Sequence, residues 1–513
     1  MPQPKWYGKS LSALCIDSIV DNMEKWTALR SSEDVSCLFF HLRECLYKIV
    51  EYMTECLLED YSITEDMFDL LSSPHMKVLD LSELGTGRDA ERNLRIVRLA
   101  SDRCLQLTTL KIHDNPPLPV EFSEGQRNFE VEESFACILQ RFEFLQILDL
   151  SFTIYGARSM LKLGSINQPK IRELLVDYCP GVTDTVVEVF CNGQSSLQIL
   201  SVNGTEVTHS GIRFAIEHLP ELKDLECDNE SVILKAFRRI RKETAKKYSL
   251  NKWMWNPPDE VSYKKGSVSL MVDMCPSLVD VFIQVDEGFT DEELLGFRKL
   301  KQLKNFEIQT SPYLPSIISI RGGVIPLLQA HGLTLEQLYL TVEVTSEQVF
   351  VIIESCPNIH RLLLFLESTD LETPEPVVDN GVHSSLCSSK EVIPLRMLEE
   401  ISLSSHFSRF AISRKLLLFL LFSPALTVVS IDECFTLDDK IIEEACARNS
   451  FKYLTKLKFR GCSNVSQKGI DFFLNEANPL SDIYLEDCGN VNPERMRTMA
   501  QEKHWNVKWN VED

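Results

Sequence analysis

From position 76 onward the apolar residues recur in one spacing: an apolar residue, two variable ones, a second apolar residue, one variable and a third. "MKVLDL" (76–81) opens the series, and "LTTLKI" (107–112), "LQILDL" (145–150), "IRELLV" (171–176), "LQILSV" (197–202) and "LKDLEC" (222–227) follow. "LVDVFI" (278–283), "LKNFEI" (303–308), "LEQLYL" (335–340), "IHRLLL" (359–364), "LEEISL" (398–403), "LTVVSI" (426–431), "LTKLKF" (454–459) and "LSDIYL" (480–485) continue it. The last two apolar positions are two apart, which is strand periodicity, so each hexamer predicts a short strand with one buried face. Spacers such as "VSQKGIDFFLNEANP" (465–479) change to helical periodicity. Uninterrupted copies lie 24 to 28 residues apart, the range of leucine-rich repeats. The expected fold class is α/β, a curved leucine-rich-repeat solenoid with parallel strands inside and helices outside. It spans 74–513 in about 14 units.

Two features share this register. Pro74, Pro220, Pro276, Pro357 and Pro424 stand two residues before the first apolar position, where proline ends a helix and favours extended entry into a strand. Cys179, Cys434, Cys462, Cys488 and Asn115 occupy the ninth position, where the chain leaves the strand and a small side chain bonds loop backbone. The period is interrupted at 228–274, read as a basic insertion, at 367–392, read as a mobile loop, and at 115–130, a shorter polar loop.

Phrases such as "CPSL" (275–278), "CPNI" (356–359), "DYCPGVTD" (177–184) and "FRGCSNVSQKGI" (459–470) resemble the cysteine-containing leucine-rich repeats of F-box substrate receptors. The resemblance implies a protein-binding inner surface.

Residues 1–73 lie outside the repeat and read as two or more amphipathic helices. Within "SLSALCIDSI" (10–19), Leu11, Cys15 and Ile19 recur every fourth residue and form a narrow apolar stripe on a helix. Such a stripe suits either a cap over the first repeat's apolar edge or a partner's groove. The stretch resembles the elongin C-binding BC-box: a small residue, leucine, a cysteine or small residue four positions on, and an aliphatic residue four beyond. Ser10, Leu11, Cys15 and Ile19 fill these places. Receptors of the Zyg-eleven and preferentially-expressed-antigen-in-melanoma families combine such a box with leucine-rich repeats. The similarity to the former extends through "CIDSIVDNMEKW" (15–26).

That resemblance implies a non-catalytic substrate adaptor, tethered by elongins C and B to a cullin, Cullin 2 in the first instance. Leu11, Cys15 and Ile19 would contact elongin. The Cullin 2 box usually contains a proline, but none occurs between Pro4 and Pro74, so the helix carrying Leu42, Leu46 and Ile49 is the substitute cullin contact. The same lack departs from the leucine-proline that opens an F-box; a diverged F-box adaptor and a scaffold without ligase role are the alternatives. The armadillo repeats of the Zyg-eleven family are absent, so its substrate class does not carry over.

Composition narrows the chemistry. At 44% apolar and 25% charged, the chain is that of a folded protein, and its formal charge of −22 argues against broad nucleic-acid or anionic-membrane binding. The start "MPQPKWYGKS" lacks a secretion signal's apolar segment, and "LLLFLLF" (416–422) is too short to span a bilayer. Sixteen cysteines without a C-x-x-C pair fit reduced thiols in the cytosol or nucleus better than disulfides or zinc. No nucleophile elbow, phosphate loop or metal-ligand spacing occurs, so neither enzymatic activity nor a cofactor is expected.

The variable strand residues should point to the inner face. They include Asp224, Glu226, Asp228 and Glu307, with Phe282, Tyr339, Leu363 and Phe365, an acidic patch beside an aromatic track suited to a basic, hydrophobically anchored peptide. Lys235, Arg238, Arg239, Arg241, Lys242, Lys246 and Lys247 fall within about four helical turns. They read as a solvated helix face, an import signal or a contact for an acidic partner.

Overall fold

The computed structural model describes residues 11–29, 38–39, 50, 52–54, 63–82, 90–112, 129–166, 169–228, 230–256, 263–285, 287–310, 318–367, 395–405, 410–474, 480–488, 491–492, 494, 496, 498 and 508–512. The chain divides into two compact units, one of Leu11–Val261 with Asp273–Ser277, the other containing Ser262–Val272 and Leu278–Asp513. Each repeats a strand, a turn and a helix in leucine-rich-repeat fashion.

In the first unit, β1 (Val78–Asp80), β2 (Thr109–Lys111), β3 (Ile147–Asp149), β4 (Glu173–Leu175), β5 (Ile199–Ser201) and β6 (Asp224–Glu226) pair in parallel, in chain order. Leu79, Leu110, Leu148, Leu174, Leu200 and Leu225 stand opposite one another along the sheet. All are buried, forming one continuous apolar row. Neighbouring parallel strands require crossovers, and the helices that supply them pack on one another in the same order as a second layer. A further strand, β7 (Lys252–Trp255), follows helix Glu230–Glu243.

In the second unit, β8 (Asp280–Val285), β9 (Asn305–Thr310), β10 (Gln337–Val344), β11 (Arg361–Leu366), β12 (Glu400–Ser404), β13 (Val428–Asp432), β14 (Lys456–Arg460), β15 (Asp482–Glu486) and β16 (Lys508–Glu512) pair in parallel with their sequence neighbours. Val281, Phe306, Leu338, Leu362, Ile401, Val429, Leu457 and Ile483 make the buried row.

Polar groups tie each repeat to the one before. The ninth-position thiols of Cys179, Cys462 and Cys488 donate to the carbonyls of Leu150, Ile431 and Phe459 at 3.0, 3.4 and 3.6 Å. Burial pushes Cys179 up to about 12 and Cys488 to about 11, so these thiols act as donors and not as thiolate nucleophiles. A second clasp joins helix N-termini. The carboxylates of Asp184, Asp291 and Asp439, each the first helical residue, accept both the backbone N–H and the hydroxyl of the next repeat's N-cap, Thr208, Ser319 and Ser466. These bonds satisfy groups that would otherwise be orphaned at the helix start. Close approach demands Gly211, where a Cβ would lie 2.6 Å from the Asp184 carboxylate.

The turns after β3, β4 and β5 place Phe152, Tyr178 and Gly204 in the left-handed region, at φ 62°, 55° and 60°. The Phe152 and Tyr178 rings stack at 4.8 Å, and Gly204 leaves room for the Tyr178 ring.

Several expectations change. The stretch 228–274 is not an insertion outside the period: Leu250, Trp253 and Trp255 take the three apolar positions and are 3%, 2% and 1% exposed, so β7 is a repeat strand with tryptophan in the leucine slots. Strand β16 adds another beyond the fourteen hexamers. The basic run is not one helix, because its helix ends at Glu243 and Lys246 and Lys247 follow in non-helical chain. The opening amphipathic stretch breaks into helices Leu11–Val20 and Met23–Ala28 at Asp21 and Asn22, where the Asn22 amide donates to Ser18 O at 2.8 Å. The loop expected at 367–392 falls, from 368, outside the described residues. So does 113–128, while Phe129 and Glu130 already begin helix Phe129–Leu139.

Candidate interaction surfaces

The N-terminal helices have two unlike flanks. Val20 and Met23 are 9% and 1% exposed, whereas Cys15 is exposed and Ile16 and Ile19 are partly so. The reason is helical spacing. Residues 16 and 20 lie one turn apart; 11, 15 and 19 form another line, with 15 about 100° of rotation from 16. Leu11 belongs to the helix by its backbone, and its side chain lies outside the description, as do Leu42, Leu46 and Ile49 altogether. Helix Met23–Ala28 packs on helix Glu65–Leu71, capped by Thr64, and that helix packs on Ala90–Arg103. Trp26 meets Phe39 edge-on at 6.4 Å.

The second surface is the outward face of β8 to β11. Strand register brings Phe282, Glu307, Tyr339 and Leu363 side by side in one row, all partly exposed. Phe365 lies two residues beyond Leu363 and meets Tyr339 edge-on at 6.4 Å. Burial pushes the Glu307 carboxyl above its ordinary value, with the Asp280 charge adding to the effect; burial and Glu307 likewise raise the Tyr339 phenol. Farther along the sheet the equivalent positions become Ser402 and Ser430, then Lys458 and Tyr484. Lys458 and Arg460 both reach Asp432, at 3.4 and 3.2 Å.

Asp224 and Glu226 lie on β6. They belong to the first unit, where Lys252 pairs with both, at 3.6 and 2.5 Å. Sequence reasoning missed this because the lysine belongs to β7, about one repeat away. Asp228 is exposed and raises the Tyr178 phenol, itself 49% exposed. Of the basic residues, Arg241 pairs with Asp273 at 3.3 Å, Lys247 donates to the Asp273 carbonyl and Lys246 lies over the Tyr248 ring at 5.4 Å. Lys235, Arg239 and Lys242 are exposed, and Arg238 is partly so.

Among the described residues no group of three or more His, Cys, Asp or Glu side chains is arranged to hold a metal ion, and no helix is long and apolar enough to cross a membrane.

No family model matches the chain, and no curated protein matches it. Solved structures similar to it include a chain of the Rad7 and Elc1 complex in yeast, at 13% identity and a TM-score of 0.47, covering 90% of this chain and 96% of that one. A chain of the TLR13–ssRNA13 complex aligns at 14% identity and a TM-score of 0.37, covering 83% of this chain and 59% of that one. The leucine-rich repeat-containing protein LegL7 from Legionella pneumophila aligns at 14% identity and a TM-score of 0.33, covering 59% of this chain and 87% of that one.

Proposed function

We propose that the protein is a non-catalytic substrate-recognition adaptor of an elongin BC–cullin–RING ubiquitin ligase. The N-terminal helix engages elongin C, the repeats hold a protein substrate, and the transfer chemistry belongs to other subunits. The observation that carries this reading is the exposure of Cys15 on a helix that ends in the buried Val20. Cys15, the middle residue of the BC-box-like line, is left open to a partner, and Ile19 is half-buried. Helix-in-groove recognition needs such access, with Leu11 as anchor, Cys15 allowing close approach and Ile19 extending the seam.

The test is a pull-down with purified elongins B and C, comparing the wild type with Leu11→Ser/Cys15→Phe after circular dichroism shows both folded. Capture by the wild type and its loss in the variant are expected. A folded wild type that captures nothing would leave the second reading, a leucine-rich scaffold whose N-terminal helices serve as a cap. The packing of Met23–Ala28 on Glu65–Leu71 favours that second reading.

A further inference from the structure

We propose that the β8–β11 face binds a protein segment presenting an arginine or lysine beside a large apolar side chain. This rests on the recognition role above, for which it names the substrate class.

The apolar half of the argument is the row itself. Phe282, Tyr339, Leu363 and Phe365 are outward residues on three strands of one sheet, with Tyr339 directly opposite Leu363. An outward sheet position facing water is ordinarily polar, and the same row turns to Ser402 and Ser430 two and three strands after Tyr339. Large apolar side chains take these positions on β8, β10 and β11, making a local apolar patch that includes the edge-to-face pair of Tyr339 and Phe365, and Tyr484 on β15 is the next aromatic in the row.

The polar half lies within that patch. Glu307 stands between Phe282 and Tyr339 in the row and accepts from the Gln309 amide at 2.7 Å; no Lys or Arg among the described residues pairs with it. Two residues back on the same face, about 7 Å along the strand, Asn305 has a buried side-chain oxygen without a hydrogen-bond partner. Asp280 lies opposite Asn305 and adds negative charge. The demand left on this face is that of Glu307, for positive charge and donors. A guanidinium supplies five donors in a plane that suit the partly exposed Glu307 carboxylate, and its stem packs on the aromatic rings. An ammonium supplies the charge with less directional fit. The first unit's Asp224 and Glu226, by contrast, share Lys252.

The purified full chain is immobilised and offered pools of short acetylated peptides with one fixed central residue: Arg, Lys, Glu, Leu or Phe. Retention of the Arg pool about tenfold above the Glu pool is expected. Glu307→Gln, which preserves shape, should bring that preference below about twofold, and Glu307→Lys should reverse it. Leu363→Ser, the residue type that Ser402 already places in this row, should weaken the Leu and Phe pools and spare the charge preference. Equal retention of Arg and Glu pools, retention of neither, or a preference unchanged by Glu307→Gln overturns the proposal. Each variant is also melted and assayed for elongin B–C capture. Capture without charge preference removes this surface and keeps the adaptor role; preference without capture does the reverse.

Discussion

The two sheets use the same hexamer but present different surfaces. In the first unit every strand from β1 to β6 is three residues long, and several charges on the outward face meet partners: Lys111 reaches Asp80 at 3.4 Å and Lys252 holds Asp224 and Glu226. In the second unit β8 to β11 run six to eight residues and carry aromatic and apolar side chains around Glu307. Strand length depends on how soon the turn intervenes. After β4 the chain enters the Tyr178 turn and its buried cysteine; "VFIQV" and "LYLTVEV" instead continue the two-residue alternation, so the ladder continues. A longer strand offers more outward positions, and those positions are where residue type is free to serve recognition.

The comparison requires equivalent cores beneath unlike faces. Trp255→Ala should cost about 3–5 kcal/mol and Leu340→Ala about 2–5 kcal/mol in urea denaturation, since both side chains are at most 1% exposed. A cost below about 1 kcal/mol for Trp255→Ala would break the equivalence by returning β7 to the status of an insertion. Next in size are the inter-repeat clasps. Asp184→Ala and Asp439→Ala should each lose about 1 kcal/mol, because each strands an N-cap hydroxyl and a backbone N–H of the following helix. A loss in only one would show that the units are not held together in the same way.

The smallest effects carry opposite signs. Glu226→Gln should destabilise by about 0.2–1 kcal/mol through its partly exposed pair with Lys252. Glu307→Gln should instead raise the melting temperature near neutral pH. Glu307's folded pKa is raised, so the folded state binds a proton that the unfolded state does not between the two values, and stability falls as pH rises through that window. The gain from glutamine should therefore be full above the folded pKa and vanish below the ordinary glutamate range. Melting curves across pH check it; a gain that persists in acid would mean the charge is not the cause.

Much of this was legible one residue at a time. The alternation in "LVDVFI", "LKNFEI", "LEQLYL" and "IHRLLL" places Phe282, Glu307, Tyr339 and Leu363 on outward positions, and constant register makes them neighbours. The ninth-position cysteines were legible for the same reason, their bonds recurring once per repeat. β7 escaped because Trp253 and Trp255 replace the expected leucines, although tryptophan fills an apolar slot equally well. The break at Asp21 and Asn22 escaped because apolar periodicity continues across it.

The sequence by itself determined the repeating strand and helix, the buried row of each unit and the outward side chains, because local periodicity and nearest-neighbour stacking dictate these. Only the tertiary structure decided which charges are already satisfied and which helix flank remains open. Lys252 pairs with both Asp224 and Glu226 from about one repeat away, and Val20 and Met23, not Cys15, are drawn into the core. Pairing and burial are relations between segments distant in the chain, and no local spacing encodes them.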